Sequence, residues 1–244
     1  MLTPMAHREF KDRIYPQFAR IAQALASDRR LEVLDLLAQA PRNVDALAAE
    51  TGMSVANVSQ HLQILRAARV VDSERDGTRI VYRLAGESVL RLWLALRSVA
   101  EEQLPDVGQI TREFAADRSG GRIVSREELE GLLPEGSVYL IDVRPVVEYE
   151  SGHLPGAVTI PVEDLPRRLA EIPRGRPVVA YCRGEYCLFA DDAVAFLRSQ
   201  GIDASRLEGG WPEWLVEGRA ITSPSDRGMQ WSQKADKRAA GGTR

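Results

Sequence analysis

Residues 54–84 read SVANVSQHLQILRAARVVDSERDGTRIVYRL, and within this run the hydrophobic period changes from helical to alternating. Ser54 offers capping chemistry, and Val55, Val58, Leu62 and Leu65 recur at helical spacing, which predicts a helix with that side turned inward. Past Val70 the pattern alternates through VVDSER and TRIVYRL on either side of Asp76-Gly77, which predicts a two-stranded hairpin. The outward side of the helix is left with Ala56, Asn57, Ser59, Gln60, His61 and Gln63.

The chain before this run is helical. Arg8 to Leu25 places Phe10, Ile14, Phe18, Ile21, Ala22 and Leu25 at helical spacing, interrupted only by Pro16. Ser27 and Asp28 precede a second stripe through Leu31, Leu34, Leu37 and Ala38. Pro41 ends it, Asn43 or Asp45 can cap NVDALAAETG, and Gly52 closes that helix. After the hairpin the helical period returns from Glu87 to Leu104 and stops at Pro105. Helix, short glycine-containing turn, helix and basic-tipped hairpin form a unit that fits a major groove. Asn57 and Gln60 can each pair with adenine through two hydrogen bonds, while Arg75, Thr78 and Arg79 around the hairpin turn suit phosphate or minor-groove contact.

These residues resemble the ArsR/SmtB repressors, above all in the V-S-x-H-L-x-x-L-R core at Val58–Arg66. The resemblance spans roughly residues 15–100 and implies a winged helix-turn-helix that binds a double-stranded DNA operator as a homodimer. It also implies a dimer face on the first helix and on the helix carrying Leu92, Trp93, Leu96 and Val99. The sequence departs from that family in the helix before the turn, where many members carry a thiol-rich metal site. Here that stretch is LEVLDLLAQ, and His7 and His61 stand without a ligand cluster, so no metal is expected. His61 is read as a packing or phosphate contact rather than a ligand.

The second informative string is PVVAYCRGEYCLFADDAVAFL, residues 177–197, which holds both cysteines of the chain. A buried strand delivers Cys182 to a tight loop of Arg183, Gly184, Glu185, Tyr186, Cys187 and Leu188, after which a helix begins. Backbone N–H groups of such a loop at a helix N-terminus favour thiolate, so Cys182 is expected to be a nucleophile with a depressed pKa. Arg183 adds a positive charge beside it, and Gly184 lets the chain curl. Cys187 reads either as a small hydrophobe at the helix start or as a second thiol able to resolve an oxidised or persulfidated Cys182.

Around this loop, Asp142-Val143-Arg144, Glu148-Tyr149, Gly152-His153-Leu154-Pro155-Gly156-Ala157 and LEGGWPEW follow one another in order. Together they resemble the rhodanese family over Ile123–Ala220. The resemblance implies a sulfane-sulfur transfer through a Cys182 persulfide, with Asp142, Arg144 and His153 holding strands and loops. Rhodanese folds also host phosphatases, but those need a longer loop closed by arginine, and the sixth residue after Cys182 is Leu188.

The fold class expected is therefore two domains, a mainly-α winged helix-turn-helix followed by an α/β rhodanese-like domain with a mostly parallel sheet. The expected boundaries are 1–104 for DNA binding and dimerisation, 105–122 for a linker, 123–221 for the rhodanese-like domain and 222–244 for a disordered tail. Net charge is −3, with fourteen basic and thirteen acidic residues in 1–104, which permits DNA binding without arguing for it. No apolar run spans a bilayer and the first residues lack a secretory pattern, so a cytoplasmic location without membrane contact is expected. The partners expected are operator DNA, a second copy of the chain, and a small sulfur-containing anion or persulfide; no cofactor is expected. A turning-over sulfurtransferase with an appended DNA-binding domain, or an arsenite, soft-metal or oxidant sensor using both thiols, remain as alternatives.

Overall fold

The computed structural model describes residues 4–115 and 122–223, in two units divided between Val89 and Leu90. In the first unit, α1 (Pro4–Leu25) runs through Pro16 without a break, and α2 (Asp28–Gln39) follows Ser27. A short strand β1 (Arg42–Asn43) leads to α3 (Val44–Thr51), whose first turn is capped by Asn43 accepting from the Ala46 N–H at 2.8 Å. Gly52, at φ 67°, takes the left-handed conformation that ends α3 and turns the chain into α4 (Val55–Ala67). Ser54 caps α4 by accepting from the Asn57 N–H at 3.2 Å.

Strands β2 (Val71–Asp76) and β3 (Arg79–Leu84) form the hairpin, and β1 adds to β3 in an antiparallel sheet of order β1-β3-β2. Because Asp76 pairs with Arg79, the turn is Gly77-Thr78 rather than Asp76-Gly77, with Gly77 at φ 60°. The core joins Val33, Leu34 and Leu37 of α2, Leu47 of α3, and Val58, Leu62 and Leu65 of α4. Val55 does not join them. It is 49% exposed, because the apolar stripe of α4 runs past the edge of the core at the first helical residue.

The chain enters the second unit through α5 (Glu87–Gln103), most of which belongs there. The stretch expected as a linker with one helical stretch inside carries α6 (Pro105–Ala115). The rest alternates strand and helix: β4 (Ile123–Val124), α7 (Arg126–Leu132), β5 (Tyr139–Asp142), α8 (Val146–Ser151), β6 (Val158–Thr159) and α9 (Leu165–Arg168) between two 3-10 turns. Then come β7 (Val178–Tyr181), α10 (Phe189–Ser199), β8 (Ala204–Leu207) and α11 (Trp211–Val216). The segment PVVEYESGHLPGA contains α8, which starts after Pro145 and ends at Gly152. The residues expected to form a disordered tail lie, from 224 onward, outside the described residues.

The five strands are all parallel, in the order β4-β8-β7-β5-β6. β7 is buried on both faces, as parallel strands covered by helices are. One face packs Val178, Ala180 and Cys182 against Ala190, Val194 and Leu197 of α10. The other packs Val179 and Tyr181 against Leu129, Trp211 and Trp214. The carboxyl end of this central strand is where the cysteine loop begins.

Candidate functional site

In the first unit, α4 leaves Ser54, Ala56, Asn57, Gln60 and Gln63 exposed, while Ser59 and His61 are half-buried. His61 Nδ1 is buried and finds no hydrogen-bond partner, so this imidazole is turned partly toward the protein. Ile64, not singled out by its sequence position, also stands exposed on α4. Arg75, Thr78 and Arg79 are exposed at the hairpin tip, and Arg75 Nε donates to the Gly77 carbonyl at 3.1 Å. An exposed polar helix beside an exposed basic hairpin tip is what groove and phosphate contact require.

In the second unit, Cys182 directly follows β7 and is only 1% exposed. Its thiol donates to the Cys187 carbonyl at 3.3 Å, and the Gly184 carbonyl lies 3.7 Å away. Gly184 curls the loop at φ 140°, and the Cys187 N–H donates back to the Gly184 carbonyl at 3.2 Å. Burial pushes the Cys182 thiol well up, and the neighbouring Cys187 pushes it further; backbone groups of Gly184 and Ala190 oppose this without reversing it. Cys187 moves the other way. It is held below the ordinary thiol value by the hydrogen bond from Cys182, against burial, with help from backbone bonds at Phe189 and Arg183. The expectation of a depressed pKa at Cys182 is thus corrected in direction: the deeper sulfur loses more hydration, and its thiol is pushed up.

Arg183, expected to add a positive charge beside Cys182, is paired with Glu148, and its charge helps to lower the Cys187 pKa. Its Nε lies 2.9 Å from Glu148 Oε1 and 3.1 Å from Oε2, its Nη2 lies 2.5 Å from Oε1, and the guanidinium stacks 5.5 Å from the Phe189 ring. Glu148 is fully buried, and a buried carboxylate needs a cation and donors around it. Glu185 and Tyr186 stand exposed at the loop's outer side, and Leu188 leads into α10.

The remaining motif residues hold the backbone. Arg144, fully buried, gives Nε and Nη2 to Asp142 at 3.0 and 2.7 Å and Nη2 to the Gly152 carbonyl at 2.8 Å. The Tyr181 hydroxyl donates to Asp142 at 2.6 Å and accepts from the Leu154 N–H at 3.1 Å. His153 stacks on Tyr149 at 3.7 Å. A β-carbon at Gly210 would come within 2.5 Å of the Cys182 carbonyl and 2.4 Å of the Gly184 nitrogen. Gly210 of LEGGWPEW lets this backbone lie against the loop, and the Trp211 N–H donates to the Cys182 carbonyl at 3.2 Å.

Two contributors to the loop's surroundings have no counterpart in the sequence reading. Arg97 of α5, 8% exposed, pairs with Glu213 at 3.2 Å and lies 4.8 Å from the Tyr186 ring. Glu101, one turn on, accepts from the Tyr186 hydroxyl. The signal available was Arg97 itself, a cation within the largely apolar run LRLWLALRSVA, which the dimer-helix reading left without a role.

Comparison with known proteins places two family models on the chain. One described as a rhodanese-like domain matches residues 125–217, and one described as bacterial regulatory protein, arsR family, matches residues 27–73. The HTH-type transcriptional regulator Rv0324 of Mycobacterium tuberculosis is 45% identical over 211 residues, 86% of this chain and 92% of that protein. A sulfurtransferase of Allochromatium vinosum is 36% identical over 88 residues, 36% of this chain and 80% of that protein. Among solved structures, the homodimeric winged helix-turn-helix DNA-binding domain of Mb0332 from Mycobacterium bovis is 46% identical. It covers 39% of this chain and 89% of its own length, with a TM-score of 0.38.

Proposed function

Because the chain belongs to the ArsR family of bacterial regulatory proteins, in a form that also carries a rhodanese-like domain, we propose that it is a transcriptional repressor answering reactive sulfur through Cys182 and Cys187. The observation that carries this reading is two free thiols within one loop at the end of a buried strand, the Cys182 thiol donating to the Cys187 carbonyl. The DNA-reading half contains no cysteine, so any thiol chemistry must act from the other half.

The chemistry follows from the pair. Cys187 thiolate takes the proton of Cys182, whose sulfur attacks the outer sulfur of a persulfide R–S–SH. The donor's S–S bond breaks, R–S⁻ leaves and takes the proton from Cys187, and Cys182 carries the transferred sulfur. Cys187 thiolate then attacks the inner sulfur, the Cys182 Sγ, forming the disulfide and expelling HS⁻. The sulfane sulfur is reduced and the two thiols are oxidised, so no other oxidant is needed.

Operator contact is assigned to Asn57 and Gln60 on base edges, with Ser54, Ala56, Ser59, His61 and Gln63 beside them and Arg75, Thr78 and Arg79 on the backbone. Dimer contact is assigned to the exposed apolar side chains of α1, among them Phe10 and Phe18, and of α5, Leu92, Leu96 and Val99. Among the described residues no helix is long and apolar enough to cross a membrane, and a cytoplasmic site of action fits a DNA-binding partner.

Intact mass after treatment with a persulfide donor tests the sulfur chemistry. The wild type should lose two hydrogens, Cys187→Ser should gain one sulfur atom, and Cys182→Ser should do neither. Sulfur gain that survives Cys182→Ser would move the nucleophile to Cys187. A steady release of product over many cycles would favour an enzyme over a sensor.

A further inference from the structure

Tyr186 is the one residue of the cysteine loop held at both its ring and its hydroxyl by a single neighbouring helix. The Arg97 guanidinium lies 4.8 Å from the ring, and Glu101 accepts from the hydroxyl. Residues four apart lie on one face of a helix, so α5 offers these two groups together. Tyr186 is nevertheless 45% exposed, so packing alone does not hold it there.

The same helix braces the loop from outside. Gly184 carries a φ of 140°, and where its β-carbon would stand, the Glu213 carboxylate lies 3.4 Å away and Arg97 Nη1 3.6 Å away. Glu213 comes from α11, and α5 also gives Arg91 Nη2 to the Val216 carbonyl at the end of α11, at 2.7 Å. Within the Arg97–Glu213 pair, Arg97 Nε and Glu213 Oε2 are buried and find no hydrogen-bond partner. α5 lies between the two stretches matched by family models and is the element through which the chain leaves the first unit.

We propose that Arg97 and Glu101 are positioning residues for the cysteine loop, so that the chemical state of Cys182 and Cys187 and the seating of α5 are linked as one equilibrium. This rests on the sulfur-responsive reading only for the identity of the natural modifying agent. Closing a disulfide brings the two Sγ atoms to about 2.05 Å. That removes the thiol hydrogen now donated to the Cys187 carbonyl and bends the peptide joining Tyr186 to Cys187. Tyr186 then leaves Arg97 and Glu101, and α5 loses two of its holds. By linkage, loosening α5 must in turn change the loop.

The test uses the full chain and hydrogen exchange read by mass spectrometry over residues 93–103. Diamide serves as the oxidant; its azo group takes up the two thiol hydrogens and becomes a hydrazine as the disulfide forms. Oxidation of the wild type should speed exchange in 93–103 by about tenfold or more. Tyr186→Phe and Glu101→Ala should show the faster exchange already when reduced and gain little on oxidation. Glu101→Gln keeps an acceptor for the tyrosine hydroxyl and should behave as wild type. The converse arm needs no disulfide: Arg97→Gln and Glu101→Ala should change the rate of iodoacetamide alkylation at Cys187 by about fivefold or more. Unchanged exchange in 93–103 for reduced Tyr186→Phe, together with unchanged alkylation in Arg97→Gln, overturns the clamp. An α5 response to diamide without any effect of persulfide on operator affinity leaves the clamp standing and defeats the sulfur reading.

Discussion

Arg183 is bound to Glu148 through two of its nitrogens, with Nε 2.9 Å and Nη2 2.5 Å from the same carboxylate oxygen. The loop's own arginine is thus paired with a buried carboxylate. It ties the turn after Cys182 to α8, and the field felt by the thiols comes chiefly from backbone groups and from each other.

Removing the carboxylate should be costly. Glu148→Ala leaves a largely buried guanidinium without its counter-charge, and breaking such a pair costs about 3–5 kcal/mol. Urea denaturation of the full chain checks this, and a loss below about 1 kcal/mol would mean that water or another group replaces Glu148.

The thiols should titrate in an order set by burial. Cys187, held below the ordinary thiol value, gains thiolate as pH rises before free cysteine does, whereas Cys182 requires a higher pH. Iodoacetamide should therefore label Cys187 first, with a rate that begins to climb below the pH at which a free thiol responds. In Cys187→Ser the remaining Cys182 should react slowly at neutral pH. Faster labelling of Cys182 than of Cys187 in the wild type would reverse the assignment.

Much of this was legible in the sequence because it is periodic or local. The change from helical to alternating period at Val70 fixes the recognition helix and hairpin, and the apolar string PVVAYC announces a strand buried on both faces. What escaped reading depends on contacts between residues far apart in sequence. Depression of the Cys182 pKa is the natural inference from a helix N-terminus, but it omits burial and the second sulfur, which only the folded loop supplies. Nothing in the spacing of Arg97 and Tyr186 reveals that they meet. The buried Glu148 was visible as a motif residue, but its task was not, because the cation it serves lies thirty-five positions away.

On DNA, Asn57→Ala and Gln60→Ala should each cost about 1–3 kcal/mol on the preferred operator and relax specificity at the base they read. Arg79→Ala should weaken every sequence alike and flatten the salt dependence. Unchanged affinity in both α4 variants would move base reading to other residues, with Gln63 the next exposed candidate.

Assembly should depend on α5's apolar side. Leu92→Asp or Leu96→Asp places a charge among side chains that are exposed in the single chain and should give monomers that lose operator binding. Sedimentation at micromolar concentration reads the mass. A wild type that sediments as a monomer would remove the two-fold symmetry on which half-site recognition depends.

Operator affinity measured on the same protein before and after reaction with a persulfide donor bears most directly on the regulatory reading. The wild type should shift by about 5- to 150-fold, the range of ordinary coupling energies, and Cys182→Ser should not shift at all. A Cys182→Ser protein whose operator affinity still answers persulfide as the wild type does would contradict it.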